Sequence, residues 1–260
     1  MNAEIYLDNN SNLHRLDPRT KITIFLLTFI AILLFENPIW MMPIAALILL
    51  QLIVSNSFRN LGRIRYILMV LTISSLVLWN IFAKGVTPLF WFLTLEAFKF
   101  SIARTLLMIL MISAGMILIS TTRNEELVLG MIRMGMPYRV GFAISTALGL
   151  VPTIASTAMT ISQAQRSRGL DLDSGNLIER VRKFLPLLLP VFISTIRNTN
   201  IFGMALESKG FGAIEKRTYF LDLKMRSMDY AVIAFAFIFV GASVAMYFMG
   251  YGRIPGLTRF

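Results

Sequence analysis

The sequence contains no cysteine and one histidine, His14. The first absence excludes disulfides, thiolate nucleophiles and thiolate metal sites. The second excludes a multi-histidine metal or haem centre. Charge is scarce too: 15% of the 260 residues are Asp, Glu, Lys or Arg, against about 25% in a soluble domain. No GxxxxGK[ST] stretch occurs, so this chain does not hydrolyse nucleotide by itself through a P-loop. The first twenty residues are polar with no apolar run after a basic start, and no cleavable signal peptide is expected. What is abundant is apolar: 56% hydrophobic residues and a mean hydropathy of +0.70. That balance excludes a water-soluble globule and a disordered chain, and leaves a polytopic membrane protein.

The first apolar run, Ile22–Phe35, is too short as it stands to cross a hydrocarbon core of ~30 Å. Asp17 as N-cap and Pro18 at the first helical position start the helix four residues earlier. Glu36-Asn37-Pro38 reads as a tight polar turn, after which Ile39–Val54 runs back. Arg65–Phe82, Ser101–Ser120 and Tyr230–Met249 are the remaining expected spans, and Thr87–Leu95 is placed at the outer surface. The net charge of +11 suggests nucleic acid only until its positions are read. Arg15, Arg19 and Lys21 precede the first span, and Arg59, Arg63 and Arg65 lie between the second and third. The opposite connections hold only Lys84 and, at the edge of the next span, Lys99. The positive-inside rule therefore puts the amino terminus inside, with Trp40, Trp79 and Trp91 near the outer boundary.

Residues 121–228 decide the architecture. Their two apolar stretches, Val140–Ile161 and Phe184–Met204, would as spans leave Arg166, Arg168, Arg180, Arg182 and Lys183 outside, against the charge rule. The first stretch carries Ser145, Gly149, Thr153, Ser156 and Thr160; the second carries Arg197, Asn198, Asn200, Pro186 and Pro190. Both read as amphipathic helices at the inner membrane surface. Five crossings and an outside carboxyl terminus follow; ordinary span counting gives seven helices. The expected fold is thus all-α: a membrane helix bundle of about five spans with a cytoplasmic-side module. Its divisions are 1–120 (four spans), 121–228 (the module) and 229–260 (the last span and an outer tail).

Candidate chemistry is sparse. No Asp or Glu lies inside the expected spans, Glu96 sits at an outer edge near Lys99, and His14 and Asp17 form the one obvious polar cluster. Met131, Met134 and Met136 fit either membrane-side packing or a soft partner surface. One signal stands above these. AQRSRGLD (Ala164–Asp171) and ALESKGFG (Ala205–Gly212) share the pattern Ala-x-x-Ser-basic-Gly-apolar, forty-one residues apart. Each follows a long helix, where a basic residue meets the negative end and glycine supplies a left-handed cap. They are either two ordinary caps or two matching cationic knobs for a pseudo-symmetric partner, and two copies in one module favour the second.

These motifs, with the opening LHRLDPRTK (Leu13–Lys21) and the connection TTRNEELVLGMIRMGMP (Thr121–Pro137), resemble the transmembrane T component of energy-coupling-factor transporters. That family includes cobalt, nickel and biotin uptake subunits. The resemblance implies a non-enzymatic coupling subunit with no cofactor of its own. Two ABC-type ATPase subunits would bind ATP and Mg, and a separate membrane subunit would bind the vitamin or metal ion. It also implies that the two motifs dock into the ATPases, through Ala164, Ser167, Arg168 and Gly169 and through Ala205, Ser208, Lys209 and Gly210. Two departures stand out: serine replaces alanine in both motifs, and Lys209 replaces arginine, keeping the charge without the bidentate fork. The rival readings are a stand-alone secondary carrier or channel and a lipid-modifying enzyme using His14 and Asp17. The expected setting is the cell membrane, with the bilayer and protein subunits as partners and no nucleic acid.

Overall fold

The computed structural model describes residues 11, 13–83, 87–90, 93–170, 176–213 and 224–252. Lys84, Trp91, Asp171 and the carboxyl-terminal residues 253–260 lie outside these, as do the side chains of Arg180 and Arg182. The helices are α1 (Pro18–Leu34), α2 (Pro38–Ser55), α3 (Phe58–Arg63), α4 (Arg65–Phe82), α5 (Leu95–Thr121), α6 (Asn124–Arg133), α7 (Tyr138–Ser167), α8 (Leu177–Ser208) and α9 (Ser227–Phe248). The Thr87–Leu95 stretch contains a short antiparallel ribbon, β1 (Pro88–Phe90) against β2 (Leu93–Thr94), with Pro88 opposite Thr94. It is the one departure from an all-helical chain among the described residues.

The chain divides into two compact units, Met1–Pro137 with Leu223–Phe260, and Tyr138–Asp222. In the first, α1 packs on α9 and α5, while α5 also packs on α2 and α4. The core holds Ile32, Met41, Ile44, Ile48 and Leu52 against Leu107, Leu110 and Ile117. Ala31 and Ala103 are fully buried, and such small residues let helix backbones approach closely where lipid supplies no hydrophobic drive for association. The module boundary differs from the expected 121–228, because α6 belongs to the first unit. It crosses the start of α1 so closely that a Cβ on Gly130 would come 3.1 Å from that of Pro18.

The two ends of this unit differ chemically. At one, Trp40 packs on Tyr251 with centroids 5.1 Å apart, Trp79 meets Phe100 edge-on at 5.2 Å, and the Glu36 N–H donates to Gly252 O. At the other, Asp17, Lys21, Thr121 and Asp229 are buried together with Asn60 and Ser120. An aromatic end and a basic, polar end are what two membrane boundaries require.

Length and apolarity qualify six described helices to cross a membrane: α2, α4, α5, α7, α8 over Lys183–Ser208, and α9. α1 has 17 residues against 18 in α2 and α4. By this measure α7 and α8 stand with the spans, and only the placement of charge sets them apart.

Candidate functional site

The second unit is the helix pair α7 and α8. Several of their hydroxyl groups are satisfied within their own helix. Thr157 and Thr160 donate to the carbonyls of Thr153 and Ser156 in α7, and Thr195 and Thr199 to those of Val191 and Thr195 in α8. Polar residues satisfied in this way can share a helix with apolar ones. Pro152, Pro186 and Pro190 each remove one backbone donor inside the pair. Most of the surface stays open: Leu185, Leu188, Leu189 and Phe192 form an exposed stripe along α8.

Both helices end identically. After α7, Gly169 has φ +90°, its N–H donates to Arg166 O at 3.0 Å, and Leu170 N–H donates to Gln165 O at 3.0 Å. After α8, Gly210 has φ +73°, its N–H donates to Glu207 O at 2.9 Å, and Phe211 N–H donates to Leu206 O at 3.0 Å. Each pair of bonds defines a Schellman cap in the same register, which satisfies carbonyls the helix leaves open. Ser167 and Ser208 turn their hydroxyls back onto Gln163 O and Ala205 O. Ala164, Ser167, Ala205 and Ser208 are small and exposed, so nothing beside them shields Arg168 or Lys209.

The cap geometry accounts for the glycines but not for the cations. Arg168 and Lys209 are exposed and make no side-chain hydrogen bond or ion pair among the described residues. A cation is favoured at a helix carboxyl end by about 0.3–1 kcal/mol, which any basic residue in the last turn supplies.

Placement is the further fact. Phe211, next but one after Lys209, packs its ring on Phe142 at 4.4 Å and on Tyr138 at 6.2 Å, at the start of α7. Lys209 therefore stands near the beginning of α7 and Arg168 at its end. The 30 residues of α7 put roughly 45 Å of helix between them. Sequence spacing brings the two motifs into one helix pair; the fold sends them to opposite ends of it.

The glycines offer a direct check. A Cβ at Gly169 meets nothing within 4 Å, so the cost of Gly169→Ala is conformational, not steric. We expect Gly169→Ala or Gly210→Ala to destabilise its helix end by about 1–2 kcal/mol, read as faster amide exchange over residues 165–170 or 206–211. Gly203→Ala, inside α8 with equal space, should instead stabilise by about 0.5–1 kcal/mol.

Other polar groups are absorbed by structure. Asp17 accepts from the Arg19 N–H as N-cap of α1, and Glu96 accepts from the Thr87 hydroxyl at 2.7 Å. No group of metal-binding side chains occurs among the described residues. Two residues escape a reading by sequence. Asp229, 1% exposed, accepts from the backbone N–H groups of Asp17 and Arg226. Arg104, inside α5, lies over the Phe100 ring at 4.8 Å and the Trp79 ring at 5.9 Å. The second had a signal, a lone cation in an apolar helix; the first had none.

Comparison with known proteins bears on the whole chain. The family CbiQ, described as cobalt transport protein, matches residues 9–220. The chain is 30% identical over 250 residues to the energy-coupling factor transporter transmembrane protein EcfT of Ruminiclostridium cellulolyticum, covering 90% of this chain and 92% of that one. It is 30% identical over 259 residues to the protein of the same name from Thermosediminibacter oceani, covering 93% and 96%. The Staphylococcus aureus protein of that name is 30% identical over 257 residues, covering 86% and 88%.

Proposed function

The chain belongs to the CbiQ family and is the transmembrane component of an energy-coupling-factor type transporter; from that premise we propose that it couples two ABC-type ATPase subunits to a separate substrate-binding membrane subunit. The observation that carries this reading is the pair of Schellman caps in one register, each with an exposed cation immediately before its glycine, at opposite ends of a helix pair. A dimer of ATPases with two matching acidic grooves is the partner such spacing suits. When the ATPases close on ATP and Mg, the distance between their grooves changes, and α7 and α8 carry that displacement. The apolar stripe along α8 is the surface against which the substrate-binding subunit would tilt. The cargo is a vitamin or a metal ion held by that subunit, not by this chain. The test is co-purification from cells expressing all subunits, followed by reconstitution. Substrate uptake should require ATP and both ATPases, and the chain alone should neither bind nor hydrolyse ATP. Uptake by the chain alone in liposomes would replace this reading with a stand-alone carrier.

The accompanying topology has α1, α2, α4, α5 and α9 crossing, the amino terminus inside, the carboxyl terminus outside, and α7 and α8 along the inner surface. It keeps Arg166, Arg168, Arg180, Arg182 and Lys183 on the inner side. The absence of cysteine makes single-cysteine labelling clean. Exposed Ser167→Cys should react with an impermeant reagent only in inside-out vesicles, and exposed Thr87→Cys only in intact cells. Labelling of Ser167→Cys in intact cells would end the five-crossing arrangement.

A further inference from the structure

Two cavities of the first unit meet at Leu16 and Met228, which line both. The larger, about 330 Å³, lies among α1, α2, α5 and α9 and is mainly apolar, with Phe25, Leu47, Ala236 and Phe239 in its wall. Each helix contributes the part nearer the Lys21–Asp229 cluster: residues 21–28, 47–54, 114–121 and 228–240. These stretches cover roughly 10–18 Å along the helix axes, which is one leaflet's share of a ~30 Å hydrocarbon core. The smaller cavity, about 140 Å³, is lined by Arg15, Arg226 and Asp229 beside the two shared residues. Both oxygens of Asp229 are taken by backbone N–H groups. Arg15 and Arg226 are exposed and make no ion pair among the described residues.

An apolar slot one leaflet deep, adjoining a small cavity lined by two arginines, has the shape and charge of an amphiphile's binding site. We propose that the chain holds one anionic phospholipid, with its phosphate between Arg15 and Arg226 and one acyl chain in the slot among α1, α2, α5 and α9. Guanidinium groups suit phosphate because their donors match its oxygens in pairs. Lys21, at the edge of the slot, gives two of its three N–H donors to His14 O and Thr121 O, which leaves one for an ester oxygen. The proposal does not depend on the ATPase-coupling reading, since lipid retention is measured on this chain alone.

The experiment is native mass spectrometry of the full chain released from bilayer discs of equal phosphatidylglycerol and phosphatidylcholine. One phosphatidylglycerol should stay bound per chain, and phosphatidylcholine should not. Arg15→Ala with Arg226→Ala should lower retention by about tenfold per arginine removed. Ala236→Trp, which fills the slot and leaves both arginines in place, should lower it comparably. Arg59→Ala with Arg63→Ala, exposed and outside both cavities, should change nothing. Equal loss in that control pair would reduce the effect to general basic charge and overturn the site. Undiminished retention in Ala236→Trp, or equal competition by glycerol 3-phosphate, would also overturn it, since then no acyl chain is bound.

Discussion

Arg168→Glu and Lys209→Glu should each release an ATPase subunit and stop uptake, with the chain still inserted and folded. Both side chains are exposed and make no side-chain hydrogen bond or ion pair among the described residues, so reversal costs the fold only the favourable helix-end charge of about 0.3–1 kcal/mol and a comparable repulsion. Against a partner carboxylate, a charge-assisted hydrogen bond is worth about 1.5–3 kcal/mol, or roughly a 10–150-fold change in affinity. Reversal adds repulsion to that loss. The double variant should be worse than either single one, because docks at two ends of the same helix pair act multivalently. Arg168→Lys should be milder yet measurable, since the bidentate fork is lost, and Lys209→Arg should be tolerated or tighten the complex. Co-purification yield and ATP-dependent uptake are the readouts. Arg166→Glu and Arg180→Glu are equally basic positions outside the repeated pattern. If they release the ATPases as fully as Arg168→Glu, a diffuse basic surface holds the partner and the two-knob mechanism fails.

A second large effect is expected on stability. Lys21 is 5% exposed, and its ammonium donates to Thr121 O at 2.7 Å and to His14 O at 3.0 Å. It thereby joins the start of α1 to the last turn of α5, while Asp229 joins the start of α9 to Asp17. Lys21→Met keeps most of the volume and removes the charge. One buried and one half-buried carbonyl lose their donor, and the buried carboxylates of Asp17 and Asp229 lose a nearby cation. Breaking one side of a buried charged arrangement costs several kcal/mol. We expect a loss of about 2–4 kcal/mol, seen as a fall of roughly 5–15 °C in the unfolding midpoint of the purified chain. Asp229→Ala should cost a similar amount, because the N–H groups of Asp17 and Arg226 are left without an acceptor. A midpoint unchanged in both variants would mean that water replaces the network without loss. The membrane bundle would then be held by apolar packing alone.

The membrane helices were legible in the amino-acid order because the bilayer imposes a length and a composition on any crossing segment. Arg65–Phe82 is both the expected span and α4, and Ile39–Val54 lies one residue inside α2 at each end. Asp17 and Pro18 start α1 as their chemistry requires. Where apolarity and helicity diverge, the reading fell short. α5 begins at Leu95, not Ser101, because the Thr94 side chain caps it and carries the helix through Glu96 and Lys99. Hydropathy measures fitness for lipid, and a helix continues past that limit wherever its ends are capped.

The two cap motifs were equally legible, since the Ser-basic-Gly pattern at a helix end is local chemistry. Three backbone bonds at each end decide it, all within seven residues. What local chemistry could not hold is where those ends stand. The packing of Phe211 on Phe142 and Tyr138, 69 and 73 positions away, sends Lys209 to the opposite end of α7 from Arg168. The Asp17–Asp229 bond joins residues 212 positions apart, and no periodicity or composition reports a pairing at that range. Composition and local order suffice to place this chain in a membrane and to mark which glycines end its long helices, because each depends on neighbours along the chain or on the surrounding lipid. Folding alone sets how far apart the cations stand, that a lysine at the start of the bundle holds the end of a helix a hundred residues away, and that Arg15 and Arg226 share one cavity. Each of those is a contact between segments that meet only after folding.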